Sequence, residues 1–219
     1  GSVIPLLIAS ITATTMAFML RGFDPILAVT LAPADAFELW QIPLFILLGV
    51  LCGLMAWYFT SMNSRVGGFF KSIDKQYKKW LWGGAILGIL IFVFPPLYGE
   101  GYEGFTSLMH GNAQELFNNS LFYRFRDIDW VIILFVIATM FFKVIAMSTT
   151  NAAGGVGGTF APSLFVGAFT GASLALVCNT LFGWEVSIVS FTLVGMAGVM
   201  SGVMKAPLTS IFLIAELSN

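Results

Sequence analysis

One stretch of this chain has residue types and spacing that point to chemistry: Gly154-Gly155-Val156-Gly157-Gly158-Thr159-Phe160-Ala161-Pro162. Its four glycines leave backbone N–H groups uncovered by side chains. Pro162 then suits the first turn of a helix, where a missing N–H costs nothing. A donor-rich loop that feeds a helix N-terminus attracts an anion, through free amides and the positive end of the helix dipole. Packing is the competing explanation. Glycines also permit close helix approach, and Pro162 alone starts a helix.

Other chemistries lack their residues. No Lys-Ser/Thr pair follows the glycines, so the loop is not a nucleotide P-loop, and the dinucleotide fingerprint lacks its third glycine. A membrane serine protease needs Ser and His facing each other inside the bundle. The single histidine, His110, lies in a polar connector. Asp24, Asp35, Asp74, Asp127 and Asp129 all lie outside the apolar runs or at their margins. That leaves neither an aspartyl protease pair nor the mid-depth carboxylate of a cation carrier. Glu216 comes nearest, at a segment end. Cys52 and Cys178 sit singly in apolar runs and read as packing residues, so no metal cluster is expected. The expectation is therefore no enzyme, no metal and no cofactor, with an anion as ligand. No arginine stands at the loop, where a full cation would hold an ion too tightly for passage.

The elements that position this loop are apolar. The chain has 219 residues, of which 58% are hydrophobic and 10% charged, and its mean hydropathy is +0.92. A soluble domain carries roughly 25% charge, so this is a membrane protein by composition. Net charge of −1 leaves no nucleic-acid footprint. Apolar runs cover Val3–Leu20, Ile42–Phe59, Trp80–Leu97, Trp130–Met147, Phe160–Phe182, Val186–Met204 and Pro207–Leu217. Several are too short for a full crossing or are broken by Gly or Pro. Gly49/Gly53, Gly84/Gly88, Gly167/Gly171 and Gly198/Gly202 form small-xxx-small pairs, which permit close helix contact. The texture is an all-α polytopic bundle of tilted and broken helices, in which unwound backbone lines a cavity.

The connectors orient the bundle. Arg65, Lys71, Lys75, Lys78 and Lys79 cluster between the second and third runs, which places that connector on the cytoplasmic side. Residues 21–41 form a polar connector closed by Trp40, an interfacial aromatic. A short amphipathic helix is expected around Gly104–Phe117, because Phe105, Leu108, Met109 and Leu116 recur at helical spacing. Lys143, near the end of the fourth run, is costly at that depth unless it snorkels or faces water.

Gly157-Gly158-Thr159-Phe160-Ala161-Pro162-Ser163-Leu164, continued by Phe165-Val166-Gly167-Ala168, resembles the G-x-F-x-P signature of the CLC family of chloride channels and proton-coupled chloride antiporters. Met196-Ala197-Gly198, then Lys205-Ala206-Pro207-Leu208-Thr209-Ser210-Ile211 through Glu216-Leu217, resembles the family's later segment. The specific resemblance covers roughly the last third of the chain. It implies one half of an inverted-repeat CLC-type bundle. Residues 1–219 are then a single, incomplete transmembrane domain, without the first half of the pore and the final helices.

By that resemblance the amides of Thr159 and Phe160 donate to a central chloride, with Gly157 and Gly158 beside them as ion-binding residues. Gly154, Gly155 and Pro162 form the loop and helix start. The family's gating-glutamate and G-S-G-I-P loops do not occur here. Thr159 stands where the family usually has Ile, Val or Leu, and either adds a hydroxyl near the ion or packs. The resemblance further implies a homodimer in a lipid bilayer, with the first and last segments at its interface. It implies a plasma membrane or bacterial inner membrane, and leaves channel and antiporter both open. Two other readings stay open: a secondary transporter for an organic anion, and a membrane assembly subunit whose glycines serve packing alone.

Overall fold

The computed structural model describes residues 3–21, 38–99 and 101–217. The described residues fold into eight α-helices and short 3-10 turns. They are α1 (Val3–Arg21), α2 (Ile42–Lys71), α3 (Gln76–Val93), α4 (Tyr102–Met109), α5 (Asp129–Ala152), α6 (Phe160–Phe182), α7 (Ile188–Met204) and α8 (Pro207–Leu217). Three stretches are long and apolar enough to cross a membrane: Leu39–Lys71, Asp129–Ala153 and Phe160–Phe182. Most of the expected connector 21–41 lies outside the described residues.

α6 is the axis of the fold. Every residue from Ser163 to Ser173 is buried, so this half of the helix meets protein on all sides. Its most extensive contact is with α7, and α2 then packs on both α7 and α5. The α6–α7 crossing is made by glycines. A Cβ on Gly171 would collide with the Phe191 carbonyl and lie 3.0 Å from Thr192 Cα. A Cβ on Gly167 would strike the Gly195 carbonyl and lie 2.7 Å from Met196 Cα. Backbone meets backbone here, as small residues allow in membrane bundles. A Cβ added to Gly198 or Gly202 would press on side chains of α2, 2.9 Å from Cys52 Sγ and 2.6 Å from Ala56 Cβ respectively.

The other two small-xxx-small pairs behave differently. A Cβ on Gly49, Gly53, Gly84 or Gly88 would meet nothing within 4 Å. Spacing permits a close approach without selecting which helix face makes it. On α3 the close contact falls instead on Gly83, where an added Cβ would lie 2.5 Å from Ala153 Cβ.

Several boundaries depart from expectation. α2 continues past Phe59 through Lys71, so Arg65 and Lys71 ride on helix rather than in a connector. Ser61, Asn63 and Ser64 are tolerated because the helix has already been nucleated. α3 begins at Gln76 and takes in Lys78 and Lys79. The helix expected over Gly104–Phe117 is two pieces, α4 and a 3-10 turn at Ala113–Phe117. Gly111, at φ +76°, turns the chain between them. Phe105, Leu108, Met109 and Leu116 are nonetheless all buried, as their spacing implied. Trp40 stands in a 3-10 turn, edge-on to Trp184, whose ring stacks on Phe182. His110 is exposed in the turn after α4.

Candidate anion site

The glycine loop is built from both ends. α5 stays helical through Ser148–Ala152 instead of stopping at Met147. Gly154 then adopts φ +101°, a left-handed conformation that ends helices and favours glycine. A Cβ there would also lie 2.6 Å from Gln76 Nε2 and 3.4 Å from Trp80 Nε1. Gly155 N donates to Thr150 O at 2.9 Å, and a Cβ on Gly155 would lie 2.8 Å from that carbonyl. The first two glycines thus turn and pack the chain. α3 braces the corner, because Gln76 Nε2 donates to Ala153 O at 3.4 Å.

Beyond the corner the amides are bare. From Val156 through Ala161, the backbone N–H groups donate to no acceptor among the described residues. The first hydrogen bond of the new helix is Ser163 N to Thr159 O, at 3.0 Å. Unpaired amides at a helix start are intrinsic to helix geometry. Here the glycines before Thr159 extend the row.

A cavity of about 620 Å³ lies beside this row. Gly157, Gly158, Phe160 and Pro162 line it. On α5, Lys143, Met147 and Asn151 line it too, four residues apart and so on one helix face. Leu87 and Ile91 of α3 close another side. Gly154, Gly155 and Thr159 do not line the cavity. The Thr159 hydroxyl points instead toward the end of α7 and donates to Met204 Sδ at 3.6 Å. Its side chain therefore packs, while its backbone N–H stays among the unpaired amides.

Lys143 neither snorkels nor faces open water. Its side chain is 3% exposed, and Nζ donates to Leu97 O at 3.1 Å and Gly99 O at 2.8 Å. The ammonium also lies 4.7 Å from the centroid of the Phe165 ring, a cation–π distance. Carbonyls of the segment after α3, together with a π face, replace the hydration a buried ammonium loses. In return Lys143 ties that segment to the cavity wall. Replacing Lys143 with Met keeps the stem but leaves both carbonyls without this donor. The expected cost is about 2 kcal/mol, the usual range for hydrogen bonds to a charged group. Thermal unfolding in detergent reads this directly, and an unchanged midpoint would show that the tether is dispensable.

Lys143 and Asn151 are the cavity residues that the loop pattern alone does not indicate. Asn151 had a signal in the polar run Ser148-Thr149-Thr150-Asn151, directly ahead of the glycines. Lys143 had one as the only charged residue in its apolar run.

Known proteins share this arrangement of sequence. The chain is 28% identical to chloride channel protein CLC-e of Arabidopsis thaliana, over 97% of this chain and 30% of that protein. It is 29% identical to chloride channel protein CLC-f of the same plant, over 98% and 27% respectively. It is also 29% identical to the H(+)/Cl(-) exchange transporter ClcA of Salmonella newport, over 91% and 39%. The chain therefore spans well under half the length of these curated relatives. The model of the voltage gated chloride channel family matches residues 1–219. With its whole described length matched, and with the glycine loop at the head of a buried helix, this chain belongs to the voltage gated chloride channel family.

Proposed function

We propose that this multi-pass membrane chain forms one wall of an anion path and takes part in moving chloride across the bilayer. The observation that carries this reading is the unbroken row of unpaired amides, Val156 to Ala161, beside an open cavity walled by α3 and α5. The Thr159 and Phe160 amides hold the ion, with Gly157 and Gly158 giving close backbone approach. Neutral donors of this kind bind an anion without immobilising it. Relatives named as a channel and as an exchanger both support chloride as the ion. A second copy of the protein is expected against the outer faces of α1 and α8. There Ile4, Leu7, Ile8, Leu208, Ile211 and Phe212 are all exposed.

One observation favours a second reading. A cavity of about 620 Å³ is large enough for a small organic anion as well as a halide. Purified protein of natural full length, reconstituted in neutral liposomes, separates the two. Chloride efflux that excess benzoate leaves unchanged is the expected result. Absence of chloride flux, with uptake of the carboxylate, would establish the organic-anion reading instead.

A further inference from the structure

One side-chain polar atom in the cavity wall is satisfied by nothing else among the described residues. Asn151 Oδ1 is shut off from solvent and has no hydrogen-bond partner. It stands against the glycine loop, so that a Cβ on Gly157 would lie 2.7 Å from it. The other half of the same amide is barely better placed. Asn151 Nδ2 donates only to Met147 Sδ, at 3.1 Å, and a thioether is a weak acceptor. Asn151 as a whole is half-buried, and a side-chain oxygen shut off from water ordinarily finds a partner. An amide left so poorly satisfied has little holding it in its resting orientation. A half-turn about the Cβ–Cγ bond exchanges the oxygen and nitrogen positions. It gives up one N–H···S bond and turns the NH2 group toward Gly157.

We propose that Asn151 is a movable hydrogen-bond donor that swings its amide onto an anion held at the Gly157–Phe160 loop, and so selects small, charge-dense anions over large, diffuse ones. The proposal rests on the anion-path reading above. The geometry gives the loop amides a fixed direction, set by the α5–α6 corner. Asn151 approaches from the α5 wall, a different side. A donor added there strengthens with the charge density of its acceptor, because a hydrogen bond to an anion is largely electrostatic. Chloride therefore gains more from Asn151 than thiocyanate does. Met147, one helical turn earlier on the same face, is the resting acceptor.

The test compares chloride and thiocyanate binding to full-length protein in neutral liposomes, for the parent and three variants. Asn151→Leu removes the donor in similar volume, on a helix that tolerates leucine well. It is expected to weaken chloride about tenfold, the low end for losing a hydrogen bond to a charged group. Thiocyanate should change by less than about twofold, so the selectivity ratio collapses. Asn151→Asp offers acceptors only and should lower chloride binding further. Met147→Leu frees the amide from its resting acceptor and should raise the chloride-to-thiocyanate ratio above that of the parent. Equal weakening of both anions in Asn151→Leu overturns the proposal, as does an unaltered ratio. A parent that moves no chloride at all sinks the anion-path reading and this proposal together. A parent that moves chloride, with the ratio intact in Asn151→Leu, sinks only the proposal.

Discussion

Replacing Thr159 with proline is expected to weaken chloride binding by about 10- to 100-fold, the effect of losing one hydrogen bond to a charged group. The substitution deletes a backbone N–H and little else. That N–H has no acceptor among the described residues, so no bond within the fold is lost. Thr159 sits at φ −95°, near the range proline imposes. The residue before it is Gly158, which tolerates the restriction a following proline imposes better than any other type. The hydroxyl disappears as well, so Thr159→Val is the necessary comparison: it keeps the amide and loses only the contact to Met204. Chloride titration by calorimetry on detergent-purified protein measures both. If the proline and valine variants bind chloride equally, the amide is not a ligand and the glycine loop serves packing.

Gly171→Ala is expected to cost the most stability of the glycine-to-alanine changes among the described residues. The new Cβ would collide with the Phe191 carbonyl, which is backbone and cannot rotate away. Gly195 presses on the same place from the other helix, where its own Cβ would lie 2.9 Å from Gly171 N. The helices must separate along their largest interface, so the penalty is expected at or above the usual range for overpacking, about 3 kcal/mol or more. Gly49→Ala provides the control, because its Cβ meets nothing within 4 Å and alanine favours helix. Yield of monodisperse protein and the unfolding midpoint should fall sharply for Gly171→Ala and hold for Gly49→Ala. Equal behaviour of the two would mean that α6 and α7 do not cross at these glycines.

Much of the helix layout was legible because proline and glycine punctuate it. The starts of α6 and α8 follow from Pro162 and Pro207, and Phe160–Phe182 and Pro207–Leu217 match the helices residue for residue. The misjudged ends share a cause. Ser61–Lys71 and Ser148–Ala152 carry polar residues just beyond the apolar runs that end at Phe59 and Met147. A helix that has already formed continues through polar residues, and α2 does so even through Gly67-Gly68. The break between α4 and Ala113–Phe117 was hidden for the opposite reason. The apolar spacing kept its phase across Gly111, since both pieces bury the same side. Among the glycine pairs, Gly167/Gly171 and Gly198/Gly202 make contacts and Gly49/Gly53 does not. The partner helix decides that, and no pattern within one helix contains it. At the site, the loop was legible from glycine and proline alone. The α5 wall was not, because Lys143, Met147 and Asn151 become neighbours of the loop only once the Gly154 corner folds α5 back against it.

The α6–α7 crossing also bears on movement. Two helices whose carbonyls and α-carbons touch have no looser register a fraction of a turn away, since any sliding brings a side chain into the gap. On the proposed anion-path reading, α6 is therefore expected to act as a stator that holds its amide-bearing end in place against α7. On the same reading, whatever opens and closes the path is expected to work against this wall from the other side. Single-molecule distance measurements between labels on α6 and α7 should accordingly stay constant through turnover.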